Sequence, residues 1–279
     1  MKLGKATVCV GPYRSSLKSM RLNTMFPESC VVRKLVLTRD GSFGSFAATD
    51  ILKATIAIIY RQRLGQEETE SLANRYLHTQ EQKVRLGFEF PQRRDSFTIG
   101  RLAAKLALEC HLDDVLPNDV AIGSGVFHQP IIMGASVRCC ELGVSISHSD
   151  QICVAVIHHK GHPIGVDVEN LAEADVVSVL SDVNARLRQQ FFKLSLNEYE
   201  AASILWVGRE SLGKVLTTGM TVPLKLYEPT SVSEVEAGFK LSYKTFTQYQ
   251  TQVMAIDKAW LAMTFPAQTK IDFGWLRGT

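Results

Sequence analysis

The sequence has no CxxC pair, no apolar run long enough to cross a bilayer, no low-complexity tract and no repeat at the level of identity. Each absence closes a class. Six cysteines (Cys9, Cys30, Cys110, Cys139, Cys140, Cys153) are scattered over 279 residues, so neither a zinc knuckle nor a disulfide framework is expected. They read as reduced thiols, most of them small buried apolar side chains. The apolar stretch at 54–60 falls far short of the ~20 residues of a membrane helix. The first residues lack the apolar core of a secretory signal, so a cytoplasmic protein without a membrane partner is expected. Charge of one sign is also scarce. With 31 Lys+Arg against 28 Asp+Glu the formal net charge is +3. That is too little for bulk nucleic-acid binding, though compatible with a local basic patch for an anionic ligand. What remains is an ordinary soluble composition, 46% hydrophobic and 21% charged, with length enough for a sizeable core.

Along the chain, residues 31–37 and 51–60 are short apolar runs separated by a turn signal at Asp40-Gly41. Residues 67–86 have the polar, proline-free composition of an exposed helix with Leu72, Tyr76 and Leu77 on its apolar side. Asp95 or Ser96 caps a stronger helix reaching Cys110, because Phe97, Leu102, Ala103 and Leu106 recur at helical spacing. The period then changes. Residues 144–147, 152–157 and 164–168 are β-branched and punctuated by polar residues, Gly or Pro, and read as adjacent strands. Helix returns at 176–192 and again after Ser195-Leu196-Asn197-Glu198, which has the form of a capping box, running to about Thr217 with Gly219 beyond. The tail alternates (238–246, 252–256, 260–265) as a closing antiparallel sheet. The expected class is α+β.

Three motifs carry chemistry. On a strand, Asp167 and Glu169 project to one side while Val166 and Val168 bury on the other. Two carboxylates on one face repel unless a cation sits between them, and magnesium is such a cation; a solvated strand end is the plainer alternative. On a helix, Trp206, Glu210 and Lys214 are spaced i, i+4, i+8 and share a face, so Glu210 can supply a third carboxylate and Lys214 can neutralise a phosphate. A surface Glu–Lys pair is the alternative there. The third motif is Ser145-Ile146-Ser147-His148-Ser149 at a strand end, an imidazole among hydroxyls suited to a phosphate or ribose, or to a satisfied turn. Residues 208–214 match the spacing of a phosphate-binding P-loop, but Val215 stands where Ser or Thr is required and the context is helical. Residues 143–147 lack the last glycine of a nucleophile elbow. His158, His159 and His162 flank Gly161 as in a solvated hairpin, not a metal cluster.

The order and spacing of these pieces, from 145–149 through Gly165-Val166-Asp167-Val168-Glu169 to Trp206, Arg209-Glu210-Ser211 and Lys214, resembles the signature of 4′-phosphopantetheinyl transferases, of the longer Sfp type. Upstream, Glu81, Arg93-Arg94, Phe97 and the run from Gly100 to Lys105 look like the same family, so the resemblance covers roughly half the chain. It implies two similar α/β halves forming a pseudo-dimer, residues 1–162 and 163–279, with coenzyme A in the cleft between them. It further implies Asp167, Glu169 and Glu210 as ligands of Mg2+, Lys214 as a phosphate contact, Glu210 as general base, and His148 with Ser147 at the 3′-phosphate end of coenzyme A. Arg94 and Arg101 are the candidates for the remaining basic grip. Gln129-Pro130 departs from the family, which often has a basic residue before the proline, and Arg209 stands where many members have lysine. The implied reaction moves phosphopantetheine from coenzyme A to a serine of an apo acyl or peptidyl carrier protein, releasing 3′,5′-ADP, in a monomeric enzyme. The alternatives are a non-catalytic coenzyme A or nucleotide-binding module of the same fold, or another magnesium-dependent phosphoryl transferase.

Overall fold

Apart from Thr55, residues 54–60 and 152–157 are apolar without alternation, which on a strand means burial on both faces. That is where the computed structural model puts them. It describes residues 29–39, 51–134, 137–181 and 183–276; Cys9, the first residues and the turn expected at Asp40-Gly41 lie outside the described residues. In chain order the elements are β1 (Cys30–Arg39), β2 (Lys53–Tyr60), α1 (Gln66–Tyr76), α2 (Thr79–Leu86), α3 (Pro91–His111), β3 (Ala121–Ser124), β4 (Pro130–Met133), α4 (Val137–Cys140), β5 (Leu142–His148), β6 (Ile152–His159), β7 (Gly165–Glu169), α5 (Val176–Ser181), α6 (Ala185–Lys193), α7 (Glu198–Val215), β8 (Pro229–Val235), β9 (Gly238–Tyr243), β10 (Tyr249–Ile256), β11 (Ala259–Pro266) and β12 (Thr269–Ile271). The fold is α+β.

Two antiparallel five-stranded sheets run in the orders β12-β1-β2-β6-β5 and β7-β11-β10-β9-β8. They stack face to face. Ile56 and Ile58 of β2 and Val154 and Val156 of β6 meet Val166 and Val168 of β7 and Leu261 and Met263 of β11 in one buried cluster. The alternate residues of β2 and β6 (Ala57, Ile59, Cys153, Ala155, Ile157) face outward against Leu102, Ala103, Leu106 and Ala107 of α3. On the far side of the second sheet, Leu241, Val253 and Ala262 pack against Ala202, Leu205 and Leu212 of α7. The result is helix, sheet, sheet, helix, with three apolar seams. Burying each Ile or Val is worth about 1.5–3 kcal/mol relative to exposure, which is why the central strands carry so little polarity. The last strand, β12, leaves the second sheet's end of the chain and pairs with β1.

Several helix ends differ from expectation for local reasons. The single helix expected over 67–86 is two, because His78 breaks it: its ring caps the Gln80 amide, and Glu81 returns a carboxylate oxygen to the His78 amide at 2.7 Å. α3 starts at Pro91, not at Asp95 or Ser96, since the preset φ of proline suits the first helical position. The helix expected over 176–192 is broken ahead of Asn184, which caps α6. The capping box of α7 is Asn197 with Glu200, two residues beyond the expected Ser195 and Glu198. α7 closes with Thr217 at φ 56° and the Thr218 amide on the Gly213 carbonyl, a Schellman ending two residues before Gly219.

A buried polar knot holds α2, α3 and β3 together. Lys105 is fully buried, pairs with Glu81 at 2.8 Å and donates to the carbonyls of Pro117 and Val120. Glu81 also accepts the Ile122 amide at 3.1 Å. Two of the three histidines at 158–162, His158 and His162, are buried instead of solvated, and His159 is half-buried. His158 and His159 belong to β6 itself, and His162 lies under β12, its Nε2 2.7 Å from Thr269 Oγ1.

Burial pushes the His158 imidazole down to about 4, with the His159 carbonyl, 3.0 Å from Nδ1, working against it. The ordinary value is 6.5. Between the two, the unfolded chain holds a proton that the folded chain has expelled. Stability is therefore full above about pH 6.5 and falls as pH drops toward 4, by roughly 3 kcal/mol at most from this group. Urea unfolding from pH 7 to 4 measures the loss, and a His158→Gln variant should show a shallower decline across that window.

Candidate functional site

The second sheet begins at β7, and β7 lies directly against α7. Gly165 makes this possible, since a Cβ there would sit 2.2 Å from the Ser211 carbonyl oxygen. α7 is then fixed in rotation. Ser211 turns into the sheet, its hydroxyl 2.7 Å from Thr264 Oγ1, at the head of a buried relay through Thr251 to Tyr243. Gly208 meets Leu241, where a Cβ would lie 2.4 Å from Cδ1. The P-loop-like glycines thus serve helix packing. Between Ala201 and Val215, Trp206, Glu210 and Lys214 are the only residues not buried, the stripe expected from their spacing. That stripe faces β7.

There the Lys214 ammonium lies 2.7 Å from Asp167 Oδ1, and the Ser147 hydroxyl donates to the same oxygen at 2.7 Å. Burial raises the carboxyl pKa of Glu210, and the neighbouring charge of Asp167 raises it further. Glu169 is likewise raised, by burial first, while the Asn170 amide, 3.0 Å from Oε1, opposes the shift. Asp167 and Lys214 act electrostatically on both. At the junction of the two sheets, then, Asp167 and Lys214 form an ion pair, with Glu169 and Glu210 each within electrostatic reach of both. Among the described residues no set of three His, Cys, Asp or Glu side chains stands arranged as a ready metal cage. The donor chemistry nevertheless fits a hard cation: oxygen ligands only, excess negative charge, and two carboxyls whose ionisation burial opposes.

His148 ends β5 beside this group. Burial lowers its pKa, and the positive charges of Lys214 and Arg61 lower it more. Arg61, just past β2, reaches the Ser149 carbonyl at 3.3 Å. The thiol of Cys153, strand partner of His148, is pushed up to about 12 by burial and feels Arg61, Lys214 and Arg101 together. Arg101 thus borders the same region, lying 3.8 Å from Glu81 and over the Phe97 ring. Arg94 is seven residues earlier on α3, on the same helix face. The Nε atoms of Arg94 and Arg101 are buried without a hydrogen-bond partner among the described residues. The Ser147 hydroxyl, expected to face coenzyme A, is turned instead to Asp167 and the Val168 amide. Gln129 folds back, its Oε1 accepting the Phe127 amide at 2.9 Å.

A cavity of about 490 Å³ opens beside Lys214, lined by Ser145, Ile146, His158, Ile164 and the Gln129-Pro130 segment. A second, of about 430 Å³, lies at the other end of the α7 stripe against Glu169, Asn170 and Trp206. Sequence reasoning gave no role to Arg61 or to the Ser145 hydroxyl. Nothing local marks Arg61, which only the β2–β6 pairing brings to the turn after His148. Ser145 and Ser147 carry a visible signal, two hydroxyls two residues apart in an apolar strand.

No family model matches the chain. Over 97 residues it is 27% identical to 4′-phosphopantetheinyl transferase gsp of Aneurinibacillus migulanus, a match covering 31% of this chain and 36% of that relative. The chain thus spans little more than a third of the curated relative's length. Among solved structures it is similar to a holo-(acyl-carrier-protein) synthase from Bacillus anthracis str. Ames in complex with CoA (3′,5′-ADP), at 27% identity and TM-score 0.31 over 37% of this chain and 90% of that one. It is also similar to the Thermotoga maritima holo-[acyl-carrier-protein] synthase, at 24% identity and TM-score 0.29 over 43% and 68%. The match to the curated transferase, together with the order of motifs from Ser145 to Lys214, supports assignment of the chain to the 4′-phosphopantetheinyl transferase superfamily.

Proposed function

We propose that the chain transfers 4′-phosphopantetheine from coenzyme A to a serine of an apo carrier protein, with residues 1–162 and 163–279 as its two halves. The observation that carries this reading is the Asp167–Lys214 ion pair beside a cavity at the junction of two stacked sheets, with Glu169 and Glu210 within electrostatic reach of both. Asp167, Glu169 and Glu210 would hold Mg2+, which when bound supplies positive charge to the diphosphate oxygens. Lys214, presently paired with Asp167, supplies a mobile positive charge at the same place. His148, Arg61, Arg94 and Arg101 offer donors to the 3′-phosphate end. The buried Nε atoms of Arg94 and Arg101, neither with a hydrogen-bond partner among the described residues, are hydrogen-bonding capacity that an anion satisfies, although Arg101 already has the Glu81 carboxylate near it.

Attack by the carrier serine on the β-phosphorus expels 3′,5′-ADP, and the hydroxyl proton needs an acceptor. Glu210, directly or through a water it orients, is that acceptor. In-line placement of the attacking and leaving oxygens is the remaining demand, and rigid elements, β7 and α7, carry the groups that meet it. The test is mass spectrometry of a panel of apo carriers incubated with the chain, coenzyme A and Mg2+. Gain of one phosphopantetheine mass on the carrier serine is the expected result. Carriers left unmodified across acyl and peptidyl types, with coenzyme A still bound, would mean a binding module instead.

A further inference from the structure

β7 is the edge strand of its sheet, paired with β11 on one side. The amides of residues two apart point to the same side of a strand, so Val166 and Val168 present theirs together on the unpaired edge. Both residues are fully buried, and a buried amide left without a partner costs about 1–3 kcal/mol. Among the described residues no strand pairs with this edge to accept them. The edge strand of the other sheet, β5, offers side chains: Ser145 Oγ takes the Val166 amide at 3.0 Å and Ser147 Oγ takes the Val168 amide at 3.2 Å. Both serines are themselves buried. Their strand neighbours Val144 and Ile146 turn the other way, into the seam with α3. Two strands of different sheets are thereby laced by hydroxyls at the two-residue repeat of a true ladder.

We propose that Ser145 and Ser147 are positioning residues, lacing the two sheets so that the Ser147 hydroxyl proton fixes the Asp167 carboxylate in the site. Accepting from Val168 orients the Ser147 hydroxyl, and its own proton then goes to Asp167 Oδ1 at 2.7 Å. Lys214 reaches the same oxygen from α7. Asp167 is held by one donor from each sheet-and-helix layer, so the spacing of the layers and the aim of the carboxylate are a single adjustment. The catalytic consequence rests on the proposed transfer reaction; the lacing does not.

Two readouts on the full chain separate these. In free protein, without coenzyme A or metal, Ser147→Ala should speed amide exchange at Val168, and Ser145→Ala at Val166, each by about tenfold. In steady-state transfer assays Ser147→Ala should lower kcat by about 10- to 100-fold, the usual loss when a group supporting a ligating carboxylate goes, with KM for coenzyme A within about twofold. Ser147→Thr, which keeps the hydroxyl, should recover most of both losses. Unchanged exchange at Val166 and Val168 overturns the lacing. Faster exchange with kcat unaltered, or a rise in KM alone, overturns the positioning role, the latter because it marks a substrate contact. If the unsubstituted chain modifies no carrier, the transfer reading falls and exchange alone decides the lacing. Should Ser147→Ala fail to fold, Ser147→Cys, a weaker donor and acceptor, gives the same reading in graded form.

Discussion

Asp167→Asn is expected to lower transfer at least about a hundredfold while the chain stays folded, because an electrostatic partner of the reacting phosphate is usually worth that much. Asparagine keeps the shape of aspartate, and its amide oxygen can still accept from Ser147. What goes is the charge. Lys214 loses its partner but is exposed enough, at 28% of its side chain, to turn toward solvent or Glu210. Glu169 and Glu210 lose the like charge that adds to the effect of burial on both carboxyls. In metal-free protein their titrations should accordingly move down toward the ordinary carboxylate range, in contrast to turnover, which collapses. Carrier modification followed by mass, thermal unfolding, and carboxyl titration by NMR measure the three consequences separately. Turnover above about a tenth of the unsubstituted level would remove Asp167 from the centre of the site. Unmoved titrations of Glu169 and Glu210 would show that the three acids do not form one group.

Much of this site was legible because its parts obey short-range periodicities. Asp167 and Glu169 share a face for the reason any i, i+2 pair on a strand does, and Trp206, Glu210 and Lys214 share one because a helix repeats in 3.6. The strand rule also predicted that Val166 and Val168 bury; that the rest of residues 201–215 are buried is a finding of the structure. Periodicity alone does not say that the two faces meet. That depends on β7 and α7 packing backbone to backbone, and on β5 crossing β7 from another sheet, both long-range facts. The resemblance to a known family supplied the meeting in advance; the residues by themselves did not. Arg61 stayed hidden for the same reason, since its place beside His148 comes from sheet register. The direction of the Ser147 hydroxyl was equally hidden. The motif places a hydroxyl next to His148, but the unpaired amide of Val168 decides where it points.

Helix ends were less legible than helix faces. Ser195-Leu196-Asn197-Glu198 and Asn197 with Glu200 are competing caps two residues apart, and only one can start α7. Asn197 wins because Ser195 takes a left-handed backbone, φ 56°, in the turn that follows α6, which leaves Asn197 in the extended conformation a cap requires. The histidines at 158–162 mislead in the same manner. Their composition suggests a wet turn, and β12, arriving from more than a hundred residues away, makes part of it dry.

Gly165→Ala is the substitution expected to damage the fold most, by about 4 kcal/mol or more, a size reserved for changes that force backbone apart. The added Cβ would meet the Ser211 carbonyl oxygen at 2.2 Å, the Val215 amide nitrogen at 2.7 Å and the Val215 Cβ at 3.1 Å. Two of those three atoms are backbone, so no rotamer change relieves them, and a close-packed interior transmits the strain instead of absorbing it. Relief requires α7 to lift from β7, which stretches the Lys214–Asp167 contact and loosens the Ser211–Thr264 bond at once. Urea unfolding should therefore show a lower midpoint, and whatever fraction stays folded should transfer phosphopantetheine poorly even under stabilising conditions. Coupled loss of stability and kcat is the signature of a site built on the contact between a strand and a helix. A Gly165→Ala chain within about 1 kcal/mol of the unsubstituted one would mean that β7 and α7 have room to spare, and that the aim of Asp167 at Lys214 does not depend on their close approach.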